Sequence, residues 1–182
     1  MRKTWFITGA SRGFGALIAE AALGQGDNVV ATARDRATVI SRLGQPANLL
    51  ALPLDVTNEA QAREAAASAI ARFERIDVLL NNAGFGLLGA VEESSAEEVE
   101  RVYRTNVFGL LAVTRAVLPH MRRQRRHSAH RGEERIRGAG TRPLARPCRL
   151  NRRHERVRTM DPGHYGLFPP CYPPFFLLEH FS

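Results

Sequence analysis

Four short apolar runs lie along the first eighty residues: Trp5-Phe6-Ile7, Val29-Val30-Ala31-Thr32-Ala33, Leu49 to Leu54 (ending at Asp55), and Asp77-Val78-Leu79-Leu80. Each is continuous rather than alternating, the pattern of strands covered on both faces. The stretches between them change period. Leu17, Ile18, Ala21 and Ala22 fall on one face of a helix that stops near Gly24, and Ala62, Ala65, Ala66, Ala69, Ile70 and Phe73 form a stripe on another. Asn58 with Gln61, and Ser95 with Glu98, are spaced as reciprocal capping boxes. Ser95 opens a long helix whose stripe is Val99, Val102, Tyr103, Asn106, Leu110, Val113 and Val117. The order βαβαβαβα, with each parallel crossover right-handed, predicts an α/β fold: a doubly wound parallel sheet with helices on both faces.

The pattern breaks after Met121. From there the chain is rich in Arg, His, Pro and Gly, holds no period of two or 3.6, and is interrupted by Pro143, Pro147 and Pro162. Residues 1–124 are therefore expected to form an incomplete domain, and residues 125–182 an irregular, disordered tail. On this reading the sheet stops after the fourth strand and the long helix. Asp77 to Leu80 is left as an apolar edge without a neighbour.

Charge follows the same boundary. The chain carries a formal +8, but residues 1–120 hold 12 basic and 13 acidic side chains, against 14 and 5 in residues 121–182. The 14 are all arginine, between Arg122 and Arg158. Arg122-Arg123-Gln124-Arg125-Arg126 reads as a solvated helix end. No aromatic side chains alternate with the arginines, so no stacking platform and no specific nucleic-acid partner is indicated; adventitious polyanion binding should fade steeply with salt. Cys148 and Cys171 suggest no disulfide framework, and His127, His130 and Cys148 read as scattered residues rather than a metal site. Met1-Arg2-Lys3 leads straight into a strand, which is not a signal peptide. Phe175-Phe176-Leu177-Leu178 is too short and too close to prolines to span a membrane. The cytoplasm is the expected location, and no oligomeric state follows from the pattern.

Candidate chemistry begins where the first strand ends. Thr8-Gly9-Ala10-Ser11-Arg12-Gly13-Phe14-Gly15 is a glycine-rich turn between a strand and a helix. Such a turn directs backbone N–H groups, and the partial positive charge of a helix N-terminus, at a pyrophosphate. Gly9 permits the sharp turn; Gly13 and Gly15 allow close approach of ligand and helix. This is a Rossmann-type arrangement. Asn106 places an amide on the core-facing stripe of the long helix, where it needs partners.

Taken with Asp55-Val56, Asn81-Asn82-Ala83-Gly84 and Asn106, the turn resembles the short-chain dehydrogenase/reductase family over about residues 3–125. The resemblance implies NAD(P) binding and hydride transfer between nicotinamide and a small-molecule carbonyl or alcohol. It sets Ser11, Arg12 and Phe14 in the phosphate turn, Asp55-Val56 beside the adenine, and Asn82-Ala83-Gly84 along the cofactor cleft. Asn106 matches the family's helix Asn, which holds a water in the proton relay; its other reading is a satisfied core amide. Cofactor choice turns on charge near the adenosine ribose, where an acidic side chain reads NAD. Arg34 comes first after the second strand, ahead of Asp35, and Arg12 lies in the turn. Two guanidiniums around a 2′-phosphate favour NADP(H) over NAD(H), unless both are ordinary surface charges.

The family's proton chemistry needs a Tyr with a Lys four residues later, because a phenol titrating at about 10 requires a nearby cation. Tyr103, Tyr165 and Tyr172 are followed at that spacing by Val107, Pro169 and Phe176. The only lysine is Lys3, and six strand residues at about 3.3 Å each leave it roughly 20 Å from the turn. Ser128, in the arginine run, has no strand to hold it as the catalytic Ser. The change of character near Arg125 is expected to reflect a shifted reading frame. Two functional readings follow: an oxidoreductase lineage whose present chain is inactive, or a non-catalytic nucleotide-binding or regulatory module with a basic partner-binding tail.

Overall fold

The computed structural model describes the backbone of residues 2–137 and 176–179 and the side chains of residues 2–124. Four parallel strands form the sheet: β1 (Thr4–Thr8), β2 (Asn28–Ala33), β3 (Leu49–Pro53) and β4 (Val78–Asn81), in the spatial order β3-β2-β1-β4. Strand β1 is central, and its register sets Phe6 beside Val30 and Leu79, and Ile7 beside Ala31 and Leu80. Successive side chains point to opposite faces, so two cores result. One packs Ile7, Val29, Ala31 and Leu80 under α1 (Gly13–Gly24) and α2 (Arg36–Leu43). The other packs Phe6, Val30 and Leu79 under α3 (Glu59–Phe73) and α5 (Leu110–Arg137). Each fully buried Phe, Ile or Leu contributes about 1.5–3 kcal/mol. Covering both faces is what made these strands continuously apolar.

Several sequence expectations change at this level. Helix α1 meets the sheet through Gly15, Ala16, Ala19 and Ala22, while Leu17 is 52% exposed and Ala21 faces solvent. The helix sits too close to β1 for a leucine to fit beneath it. The long helix is two helices, α4 (Ala96–Tyr103) and α5, joined by a π-helical turn at Arg104–Gly109. The wider turn rotates the face, so Val113, Val117 and Met121 are buried but Val99 and Tyr103 are exposed. The capping box at Ser95 and Glu98 forms in full. Asn58 caps α3, but Gln61 does not reciprocate: its Oε1 accepts from the Asp55 N–H at 2.8 Å.

The β4 edge is also covered. A short strand, β5 (Phe176–Glu179), pairs antiparallel with it, from Val78 opposite Glu179 to Asn81 opposite Phe176. Helix α5 runs on to Arg137. The rest of the expected irregular tail lies outside the described residues, with Cys148, Cys171, Tyr165 and Tyr172, as do the side chains of His127, Ser128 and His130. Among the described residues, no helix is long and apolar enough to cross a membrane.

Candidate functional site

The site is built where β1 and β4 end side by side. The Thr8 hydroxyl accepts from the backbone N–H groups of Asn82 and Ala83, each at 3.0 Å. The Asn82 amide nitrogen returns two bonds, to the carbonyls of Thr8 at 3.0 Å and Gly9 at 2.9 Å. The chain leaving β1 is thereby locked to the chain leaving β4. Asn82 borders the cleft, but its amide is spent holding the glycine turn; Thr8, the hub, gave no signal of its own in the sequence.

The glycines follow from this closeness. Gly9 has φ +66°, and a Cβ there would lie 2.9 Å from the Ala83 Cα. Gly13 has φ +59° with open space around it, so its requirement is conformational. Gly15 lies beneath the turn rather than on its surface: a Cβ would overlap the Gly9 carbonyl oxygen and the Asn82 amide nitrogen.

Above the turn opens a cleft of about 810 Å³. It gathers Gly9, Ser11, Arg12, Gly13 and Phe14 from the turn, and Arg34 from the end of β2. Asp55 and Val56 join them after β3, and Asn82, Ala83 and Gly84 after β4. These are the singled-out positions apart from Gly15 and Asn106. No side chain caps α1 and no acidic residue occupies its first turn, whereas Asp35, Asn58 and Ser95 cap α2, α3 and α4. An uncapped helix N-terminus at a cleft is suited to an anion.

Charge on the walls is mostly positive: Arg12, Arg34, Arg101 and Arg104 against Asp55. Arg12 and Arg34 have no hydrogen-bond partner among the described residues and stand exposed at the cleft. Asp35 is occupied elsewhere, its Oδ1 accepting from the Ala37 N–H at 2.8 Å as the cap of α2. Asp55 Oδ1 accepts from the Thr57 N–H at 2.9 Å and hydroxyl at 2.7 Å, which stiffens the segment carrying Val56.

Among the cleft residues that the sequence did not single out are Arg101, Arg104 and Thr105, from α4 and the π-helical turn. They are polar positions on an exposed face, and only a tertiary contact brings them there. Gly109 makes that contact; a Cβ on it would lie 2.7 Å from Val56 Cγ2. Asn106, expected on the core side, is half-buried instead. Its Nδ2 donates to the Phe85 carbonyl at 2.8 Å and its Oδ1 accepts from the Phe85 N–H at 3.1 Å, a two-point clasp that ties the loop after β4 to the π-helical turn.

Neither candidate proton-handling group lies here among the described residues. Tyr103 is 56% exposed on α4 and does not line the cleft. Lys3 precedes β1 at the far end of the sheet, where its N–H donates to Asp27 Oδ1 at 2.8 Å.

Comparison with known proteins agrees with this geometry. The profile of the short chain dehydrogenase family matches residues 3–129. "Oxidoreductase BOA17" of Botryotinia fuckeliana is 41% identical over 69% of this chain and 46% of its own length. The NADP-dependent 3-hydroxy acid dehydrogenase YdfG of Salmonella typhi is 37% identical over 88% of this chain and 71% of its own. Among solved structures, 3-ketoacyl-(acyl-carrier-protein) reductase from Brucella melitensis complexed with NADH superposes with a TM-score of 0.60 at 35% identity, over 65% of this chain and 50% of that one. The chain thus spans about half the length of two of these three proteins.

Proposed function

The chain belongs to the short chain dehydrogenase family, and on that premise we propose that its cleft binds a nicotinamide dinucleotide, NADP(H) in preference to NAD(H). The observation that carries the preference is the division of labour after β2. Arg34 stands free at the cleft with Arg12, while Asp35, the acidic alternative, is spent on the N-terminus of α2. Two guanidiniums at a 2′-phosphate form charge-assisted bonds that a ribose hydroxyl cannot match. The cradle fits the rest of the cofactor: the glycine turn has no room for side chains at Gly9 and Gly15, and α1 offers an uncapped N-terminus to the pyrophosphate.

When bound, the nicotinamide supplies or takes up a hydride at a carbonyl or alcohol carbon of a small-molecule substrate. This chain's residues bind and orient the cofactor: the turn and Arg12 hold phosphates, Asp55 and Val56 flank the adenine, and Asn82, Ala83 and Gly84 border the cofactor cleft. Asn106 steadies the loop at Phe85, and its place in a proton relay is part of the proposal. Tyr-x-x-x-Lys is absent from the sequence, so a phenol made acidic by a neighbouring cation is missing, and general acid catalysis with it. The second reading, a nucleotide-binding module without turnover, rests on that same absence. A cytoplasmic setting is part of this proposal.

A turnover assay separates the readings. The full chain with NADPH and a panel of aldehydes and ketones is expected to oxidise no cofactor above the protein-free rate. Turnover that Tyr165→Phe abolishes would overturn the reading of the tail. Sequencing the gene through the codons for residues 120–182 tests the shifted frame: an alternative frame encoding Tyr-x-x-x-Lys supports it, and its absence removes it.

A further inference from the structure

We infer that Arg104, held in place by Glu100, is the stacking lid for the purine ring of the bound nucleotide. The inference rests on the dinucleotide reading above and extends it to a wall of the cleft outside the glycine turn, Asp55-Val56 and Asn82-Ala83-Gly84. Arg104 and Thr105 line the cleft, as do Leu54 and Val56, which are 3% and 7% exposed. The Arg104 Nη2 donates to Glu100 Oε1 at 2.6 Å, one turn earlier on α4, an exposed ion pair that biases the orientation of the guanidinium. The absence of a side chain at Gly109 lets the π-helical turn approach Val56 closely.

This part of the cleft therefore brings apolar side chains and a planar cation into one lining. A flat, electron-rich heteroaromatic ring is the ligand such a pair accepts, since guanidinium stacks on ring faces and is weakly hydrated. Arg101, exposed one turn back and also lining the cleft, adds positive charge beside the Glu98 carboxylate. In this arrangement Arg104 contributes a plane and Arg101 a charge. Replacing Arg104 by lysine keeps the charge and removes the plane.

The test is calorimetric titration of the full chain with adenosine 2′,5′-bisphosphate and with NADPH, using wild type, Arg104→Ala, Arg104→Lys and Glu100→Gln, with ligand-free melting curves as a check on folding. Arg104→Ala is expected to weaken adenosine 2′,5′-bisphosphate by about fivefold. Arg104→Lys should lose nearly as much, and Glu100→Gln less. All three variants should melt near wild type, because the pair is exposed, at 63% and 66% of the side chains. Wild-type affinity in Arg104→Lys would show charge alone at work and overturn the stacking role. Unchanged affinity in Arg104→Ala would remove the wall from the site while leaving the cofactor reading intact. Absence of saturable binding by the wild type to either ligand would overturn that reading, and this inference with it.

Discussion

Gly15→Ala is expected to destabilise the domain by about 1–3 kcal/mol and to abolish measurable nucleotide binding. Helix propensity alone predicts the opposite sign, since alanine is better than glycine in a helix interior by about 0.8–1 kcal/mol. Space decides. The new methyl would overlap the Gly9 carbonyl oxygen and the Asn82 amide nitrogen. Neither can retreat cheaply, because Asn82 bonds both the Thr8 and Gly9 carbonyls, and Gly9 already faces the Ala83 backbone. The relief is to push α1 away from β1, which opens the turn that presents N–H groups to the pyrophosphate. Gly24, at the other end of the same helix, has nothing within 4 Å of a built Cβ, so Gly24→Ala should leave stability unchanged or slightly raised. Urea unfolding of the two variants checks both signs. A Gly15→Ala protein as stable as wild type would mean that the turn and helix are not in this contact.

Arg34→Ala is expected to weaken NADPH by about 10- to 150-fold, the loss of one charge-assisted contact worth about 1.5–3 kcal/mol. NADH affinity should change little, because its ribose carries no phosphate for the guanidinium to meet. Arg34 is exposed and unpaired among the described residues, so the melting temperature should not move. Asp35→Ala supplies the contrast. Its carboxylate caps α2, and its removal should cost about 0.5–2 kcal/mol of stability while leaving the ratio of NADPH to NADH affinity where it was. Competition binding with the two cofactors reads both variants. Equal losses for NADPH and NADH in Arg34→Ala would remove Arg34 from the 2′-phosphate.

The strands were legible because burial on both faces leaves a continuous apolar run, and Phe6, Val30 and Leu79 occupy the positions that pattern implies. The glycine turn was legible because Gly9 and Gly13 meet a backbone demand for positive φ, and the structure gathers it with the segments at Asp55 and Asn82 in one cleft. Leu17 was misjudged for a physical reason: apolar character marks what prefers burial, whereas the closeness of Gly15 to Gly9 determines that only Ala16, Ala19 and Ala22 fit. Tyr103 was misplaced because a π-helical turn carries no hydrophobic signature and rotates every face upstream of it. The close approach of Gly109 to Val56 joins positions more than fifty residues apart, which periodicity does not encode. The cover on β4 comes from Phe176–Glu179, almost a hundred residues downstream, and no local reading of β4 identifies its partner.

Equilibrium dialysis of the folded full chain against NADPH and NADH tests the central claim most directly. The expected result is a single saturable site per chain that holds NADPH at least about tenfold more tightly than NADH, with the difference shrinking as salt screens the guanidiniums. Folded protein that retains neither cofactor, or that holds NADH as tightly as NADPH, would contradict it.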